Sequence, residues 1–260
     1  MLGFRPKLPV SEDERQWLDE GFRRLERKLG RRRMIEAQVI LPTAEHFPDA
    51  YDATPASAET LFQRVCEYMD VDRQLVEFQI FPDETEELRT MLPSWSSNSS
   101  RCAGLYIHGR GGNSGEDDGM VIAIRSTQLK APMSLVATMA HELGHVILLG
   151  GGLMDRRTPD HEPMTDLLTV YLGLGIFTAN SAASFRQFQD ARSQGWTTQR
   201  LGYIPEEAYG YALAKFAAER GEDKPVWSRH LSANVREYFK RSGNWLKENT
   251  PQIIRPDPIG

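Results

Sequence analysis

The segment PMSLVATMAHELGHVILLGGG, residues 132–152, predicts one long helix that ends in glycine. Pro132 suits the first turn of a helix, where its missing N–H leaves no hydrogen bond unmade. Apolar residues then recur every three or four positions, the pattern of a helix with one buried face: Leu135, Val136, Met139, Ala140, Leu143 and Ile147. Three glycines, Gly150 to Gly152, predict that the helix ends one turn after His145.

Within this helix, His141, Glu142 and His145 form the pattern HExxH. Side chains four positions apart project from one face of a helix, so the imidazoles of His141 and His145 can reach one metal ion. The carboxylate of Glu142 lies between them and can take a proton from a water molecule that the metal activates. Catalytic zinc has three protein ligands and an open position, so the pattern predicts one Zn²⁺ ion and a third ligand elsewhere.

The third ligand does not follow directly after the helix. Some zinc hydrolases carry another histidine six residues after the second one, but that position is Gly151 here. The next candidate ligands occur in DHEPMTD, residues 160–166, before an apolar run that predicts a second helix beginning near Pro163. Glu162 and Asp166 are four residues apart, so this helix would present both carboxylates to the first helix.

HExxH followed by Glu162-x-x-x-Asp166 resembles the gluzincin group of zincin metallopeptidases, of which thermolysin is the familiar example. The resemblance covers these two segments, and the first of them is the more specific. It implies Glu162 as the third zinc ligand, after the two histidines, and Glu142 as the general base. It also implies that Asp166 accepts the ring N–H of His141 and so fixes the tautomer of that imidazole.

Two other residues remain candidates for the third ligand. Pro163 follows Glu162 directly and limits where the second helix can begin. A helix that begins later would favour Asp166 as the ligand, as in aspzincins, or His161. Glu162 would then be an ordinary carboxylate in the first turn of a helix, a position that the helix dipole favours. We expect Glu162 to be the ligand, with Asp166 and His161 as the alternatives.

The segments around the HExxH helix predict an α+β fold. Strands are expected at 37–41, 75–81, 104–108 and 120–124, and a helix at 55–69. This order resembles the catalytic lobe of zincins, in which a small mixed sheet packs on the active-site helix. Further helices are expected downstream, at 163 to about 180, 184–193, 205–220 and 232–247. The predicted fold is therefore zincin-like, with a mostly helical C-terminal lobe.

Three regions follow from this order of elements. Residues 1–36 are expected to form an N-terminal helical arm that begins at a capping box of Ser11 and Glu14. Residues 37–151 are expected to form an α/β upper lobe that includes the active-site helix. Residues 152–260 are expected to form a helical lower lobe that carries the third zinc ligand. The zinc site would lie between the two lobes, where pockets are common.

Composition limits the classes of partner. A chain of 260 residues with 40% hydrophobic and 26% charged residues can bury a core as an ordinary soluble protein. A net charge of −5 gives no electrostatic reason to expect binding to nucleic acid or to an anionic membrane. Basic residues cluster from Arg23 to Arg33, but acidic residues share that stretch, so a salt-bridged helix is expected.

The expected location is the cytoplasm. Cys66 and Cys102 are too few for a disulfide framework or a zinc ribbon. Residues 1–10 contain two prolines and no apolar core of a secretory signal. The longest apolar run, 167–177, is too short to cross a bilayer. We therefore expect reduced thiols and no membrane span.

The resemblance implies a zinc-dependent metallopeptidase that acts on a peptide or protein substrate. Gluzincins use a tyrosine or histidine to stabilise the oxyanion, and the candidates here are Tyr211, which ranks slightly first, Tyr203, Tyr209, His230 and Tyr171. One alternative is a zinc-binding regulatory or interaction protein of zincin fold with little turnover. Another is a metal-dependent hydrolase of a non-peptide amide or other small substrate. Glu142 favours a hydrolase, because metal binding alone needs no general base.

Overall fold

The computed structural model describes residues 7–81, 104–108, 120–190 and 204–249, with the backbone alone in 104–108 and 184–190. Before the HExxH helix, the chain forms α1 (Glu12–Leu29), α2 (Arg31–Ile35), α3 (Pro55–Met69), β1 (Val76–Phe81), β2 (Gly104–His108) and β3 (Met120–Arg125). It continues with α4 (Pro132–His145), α5 (His161–Tyr171), α6 (Gly175–Asp190), α7 (Glu206–Glu219) and α8 (Ala233–Asn249). The described chain is α+β and mostly helical.

The three strands form one small mixed sheet in the order β1-β3-β2. β1 runs parallel to β3 from the pair Val76–Met120 to the pair Phe81–Arg125. β2 runs antiparallel to β3, and Gly104 pairs with Ile124. The strands predicted at 75–81, 104–108 and 120–124 are confirmed. β2 occupies an edge of the sheet as described and lies beside α4.

The central helix of the fold is α4. It begins at Pro132, as predicted, and every residue from Leu135 to His145 is buried. After His145 the helix widens into a π-helical turn, Val146–Gly150, which ends at Gly151. α4 packs against α3, α5 and α6 and against strands β2 and β3. Its burial on all sides holds the HExxH residues in a fixed frame.

Among the described helices, Pro132–Gly150 is long and apolar enough to span a membrane by length and composition. However, 72% of that window is buried inside the fold. A helix at the core of a globular protein is also apolar on all sides. The surrounding helices and strands therefore explain the composition of this segment.

The N-terminal helix α1 begins at the predicted capping box. The Glu14 N–H donates to Ser11 Oγ at 3.3 Å, and the Ser11 N–H donates to Glu14 Oε2 at 2.8 Å. Its buried residues recur every three or four positions: Leu18, Gly21, Phe22 and Leu25. This face packs against α5 and α7. The boundaries of the three predicted regions stay a prediction.

The basic stretch that follows is salt-bridged, as its composition predicted. Arg23 and Arg27 pair with Glu20, and Arg32 pairs with Glu36. Arg31 pairs with Glu26 and Glu219. These four arginines therefore have acidic partners within the fold.

The strand predicted at 37–41 is wrong. The Ile40 N–H donates to the carbonyl of Gly173 at 3.0 Å, and an Arg220 guanidinium N–H donates to the Ala37 carbonyl at 2.7 Å. Ile40 is buried, at 1% exposure. The apolar residues of 37–41 therefore belong to an extended segment packed on helices, not to a strand in the sheet.

The helix predicted from 163 to about 180 is two helices, α5 and α6. Gly173 has a φ of 89°, a left-handed conformation that glycine adopts without strain. The Leu174 N–H donates back to the Thr169 carbonyl at 2.8 Å and closes the end of α5. Residues 184–190 then belong to α6 and not to a separate helix.

Gly144 permits the close approach of α4 to α5. A Cβ at this position would lie 2.7 Å from Thr165 Cγ2, and Thr165 is fully buried and β-branched. We expect Gly144→Ala to lower the free energy of unfolding by about 1–3 kcal/mol through overpacking. Gly243→Ala in α8 is the control, since nothing lies within 4 Å of its Cβ. In that variant the free energy of unfolding should rise by about 0.5–1 kcal/mol, because alanine has a higher helix propensity than glycine. Denaturant unfolding measures both, and equal effects would contradict the packing.

Candidate metal centre

Two helices bring the predicted ligands together. α4 carries His141 and His145, and the first turn of α5 carries Glu162. One ligand atom from each residue lies within 4.8 Å of the other two. Glu162 Oε2 is 3.0 Å from His141 Nε2 and 3.3 Å from His145 Nε2. The described geometry therefore contains a possible three-residue metal site.

The orientation of His141 is fixed by Asp166. His141 Nδ1 lies 2.8 Å from Asp166 Oδ1. Because a carboxylate accepts hydrogen bonds, Nδ1–H is the donor and the lone pair of a neutral ring lies on Nε2, toward Glu162. The Ile204 N–H donates to the other oxygen of Asp166 at 2.8 Å. Both carboxylate oxygens of Asp166 are therefore engaged.

Thr165 plays the corresponding part for His145, and sequence reasoning missed it. Its hydroxyl donates to the His161 carbonyl at 2.8 Å, and its oxygen lies 3.3 Å from His145 Nδ1. The threonine oxygen can therefore accept Nδ1–H, which places the His145 lone pair on Nε2, toward Glu162. Threonine is not a residue type that indicates a metal site, so its position one residue before Asp166 gives no signal of this role in the sequence.

The arrangement leaves acceptor atoms facing one another. Two neutral imidazoles oriented in this way direct the Nε2 lone pairs of His141 and His145 at a carboxylate oxygen. Acceptors at 3.0–3.3 Å repel each other unless a proton or a cation lies between them. The site is thus built to hold positive charge at the point where the three atoms converge.

The pKa values of His141 and Glu162 are also shifted in the directions that favour positive charge between them. Burial disfavours the charged form of His141, but hydrogen bonds with Asp166 and Glu162 outweigh it and raise the His141 pKa well above 6.5. Burial also disfavours the Glu162 carboxylate, but hydrogen bonds from the surrounding histidines outweigh it and hold the Glu162 pKa well below 4.5. The residues therefore balance charge with protons that a divalent cation would replace.

The donor set fits zinc. Two imidazole nitrogens and one carboxylate oxygen are the ligands of many catalytic zinc sites, whereas calcium and magnesium prefer oxygen ligands. Side-chain exposure rises from 3% for His141 and 8% for His145 to 32% for Glu162. The two histidines are therefore buried in α4, and Glu162 of α5 is the ligand candidate that solvent partly reaches.

The alternative ligands lie differently. Asp166 contacts the far nitrogen of His141, as the resemblance implied. His161 lies on the other oxygen of Glu162, with its Nε2 3.1 Å from Oε1. Neither belongs to the three-residue cluster. Glu142 is buried in α4, at 4% exposure, between the two histidines in sequence.

The candidate oxyanion residues are dispersed. Tyr211 donates its hydroxyl to Asp19 of α1 at 2.9 Å, and Tyr171 donates to the Gly30 carbonyl at 3.0 Å. Tyr209 is buried in α7. His230 ends a short 3₁₀ helix, Val226–His230, and its Nε2 accepts from the neighbouring Arg229. Tyr203 lies outside the described residues. The hydroxyls of Tyr171 and Tyr211 thus tie α5 and α7 to the N-terminal region.

Thr165→Val should weaken zinc binding. The substitution keeps the side-chain shape and removes the acceptor of His145 Nδ1–H, so we expect an affinity loss of about tenfold. Thr169→Val is the control. Thr169 lies one turn after Thr165 and is also fully buried, but its hydroxyl donates to the Asp166 carbonyl and not to a histidine ring. Zinc titration of both variants separates the effects. Equal affinities would mean that the Thr165 hydroxyl does not orient His145.

No protein-family model matches this chain, and comparison with characterised proteins and with solved structures finds no match either.

Proposed function

We propose that this chain is a zinc-dependent metallopeptidase with a zincin-like fold of gluzincin type. The observation that carries the proposal is the convergence of His141 Nε2, His145 Nε2 and Glu162 Oε2. Each ring is oriented through its other nitrogen, by Asp166 or Thr165, so that its lone pair faces the same point. This is the ligand arrangement that a catalytic zinc ion needs.

The residues divide the chemistry between them. His141, His145 and Glu162 would hold the zinc ion, which when bound polarises a carbonyl and activates water. Glu142 accepts the proton of the attacking water and passes it to the leaving amine. Asp166 and Thr165 keep the two imidazoles in the tautomers that ligate. Glu142 favours hydrolysis over a purely regulatory metal site.

The position of the sheet supports a peptide as substrate. β2 lies at an edge of the sheet as described and beside α4. The backbone edge of such a strand can pair with an extended peptide chain. A peptide paired there would lie near the helix that carries HExxH. We accordingly propose a peptide or protein substrate. We also propose a cytoplasmic location, which the small number of cysteines supports.

Cleavage of a peptide library tests the proposal. The purified chain should cleave a subset of peptides, lose this activity with a chelator and regain it when zinc is added back. Zinc binding without any cleavage would instead support the regulatory alternative. Cleavage of small amides but not of peptides would support a non-peptide hydrolase. Cleavage that a chelator leaves unchanged would overturn the zinc mechanism.

A further inference from the structure

The N-terminal helix α1 holds the start of the helix that carries Glu162. The Trp17 indole N–H donates to Asp160 Oδ2 at 3.1 Å, and an Arg24 guanidinium N–H donates to the same oxygen at 2.6 Å. These partners are 143 and 136 residues apart in sequence. Asp160 stands two residues before Glu162. Two donors from α1 therefore converge on the residue that precedes the first turn of α5.

The Asp160 side chain makes these contacts and does not cap the helix that follows it. It is the N-cap residue of α5. An aspartate in that position usually accepts a hydrogen bond from a backbone N–H of its own first helical turn. The Asp160 side chain makes no such bond to α5. Its carboxylate links two helices instead of capping one.

The connection that precedes α5 gives the first turn hydrogen bonds but little buried packing: the His161 N–H and Nδ1 lie 3.1 and 3.0 Å from the Thr158 carbonyl oxygen. Most of its residues are exposed: Gly151, Gly152, Asp155, Arg156, Arg157 and Pro159. Two of these are glycines, which resist ordering. Contacts with neighbouring helices therefore add to these local hydrogen bonds in fixing the position of the first turn.

α1 supplies such contacts along the whole of α5. In the middle, a Cβ on Gly21 would lie 2.4 Å from Leu167 Cδ2, so the two helices meet closely. At the far end, the Tyr171 hydroxyl reaches the Gly30 carbonyl. Phe22 packs against Tyr171 with ring centroids 6.2 Å apart. The contacts of Asp160 complete this interface at the end where Glu162 lies.

We propose that Arg24, together with Trp17, is a positioning residue of the metal centre. Through Asp160 it fixes the first turn of α5, so that Glu162 meets the two histidines of α4. This inference rests on the proposed function, because it requires that Glu162 is a metal ligand. Metal affinity then depends on the docking of α1, although no residue of α1 belongs to the ligand cluster.

Zinc titration against a chromophoric chelator tests this in Arg24→Ala. We expect zinc binding about tenfold weaker than in the wild type, at the lower end of the effect of outer ligand partners. In the metal-free chain, hydrogen exchange at the amides of His161, Glu162 and Met164 should be faster. Arg27→Ala is the matched control, since Arg27 is 61% exposed and pairs with Glu20 of its own helix. That variant should stay within about twofold of the wild type.

Two further variants separate positioning from general stability. Asp160→Asn should weaken zinc binding as Arg24→Ala does, and the double variant should be no weaker than either, because both break one contact. Arg24→Lys should restore part of the affinity by keeping the charge.

A lower free energy of unfolding in Arg24→Ala with unchanged zinc affinity would overturn the positioning role. A wild-type chain that binds zinc but cleaves no peptide overturns the peptidase function and leaves this inference standing. A wild-type chain that binds no zinc overturns both.

Discussion

Glu142→Gln is expected to abolish peptide cleavage and to leave zinc binding intact. The amide has the shape of the carboxylate, so the packing of the buried side chain in α4 is preserved. An amide cannot accept the proton of the attacking water, and loss of a general base lowers the rate by about 10²–10⁴-fold. His141 and His145 keep their orientation, because Asp166 and Thr165 hold them.

The measurements are kcat/KM on a cleaved peptide and zinc content per chain. Glu67→Gln, an exposed substitution of the same kind on α3, is the control and should behave as the wild type. Cleavage by Glu142→Gln at the wild-type rate would show that another group takes the proton. Loss of zinc together with activity would show that Glu142 belongs to the metal site itself.

Glu162→Ala is expected to lose more zinc affinity than Asp166→Ala, and Asp166→Ala is expected to lose more stability than Glu162→Ala. Glu162→Ala removes one of three ligands, so its zinc affinity should fall by more than the roughly 10–100-fold typical of outer partners. Its metal-free form loses the hydrogen bonds of Glu162 with the histidines, but it should lose less stability than Asp166→Ala, because the Glu162 side chain is 32% exposed and Asp166 is 1% exposed. Asp166→Ala should lose less zinc affinity than Glu162→Ala.

Stability should follow the reverse order. Asp166 is 1% exposed and accepts from both His141 Nδ1 and the Ile204 N–H. Its removal leaves buried donors without their acceptor, which costs about 1–3 kcal/mol. Zinc titration and denaturant unfolding of the metal-free variants measure the two properties. The opposite pattern, with zinc lost in Asp166→Ala and kept in Glu162→Ala, would identify Asp166 as the ligand.

Local sequence patterns predicted the elements that form the site. Pro132 and the glycines after residue 149 set the limits of the HExxH helix, and Ser11 with Glu14 set the start of α1. These signals involve residues within one or two turns of one another. The same is true of the three strands: 75–81 alternates between polar and apolar residues, and 104–108 and 120–124 are short apolar runs.

Features that depend on contacts between distant segments were not predicted. The 37–41 segment is short and apolar like a strand, but its partners are Gly173 and Arg220 from the helical region. The break between α5 and α6 occurs at Gly173, where the Gln38 carbonyl lies 2.1 Å from the position of a Cβ. Such a close approach exists only in the folded chain, so a local reading misses it.

In the site, too, local features were predicted from the sequence and most contacts between distant segments were not. The spacing of His141 and His145 on one helix is a local property, and Glu162 was found through a resemblance between motifs. The same resemblance implied Asp166 as the partner of His141. Two other residues were not predicted: Thr165, which contacts His145 across the α4–α5 interface, and Arg24 of the N-terminal helix, for which we propose a positioning role. Neither threonine nor arginine is by itself a signal of a metal site, so only the tertiary positions of these two residues suggest a role.

Zinc titration of the metal-free chain, compared with His145→Ala, tests most directly whether α4 and α5 form one metal centre. We expect the wild type to bind one zinc ion per chain. We expect His145→Ala, which loses one of the three converging atoms, to bind zinc far more weakly while remaining folded. A wild-type chain that binds no zinc, or a variant that binds it as tightly as the wild type, would contradict the proposed site.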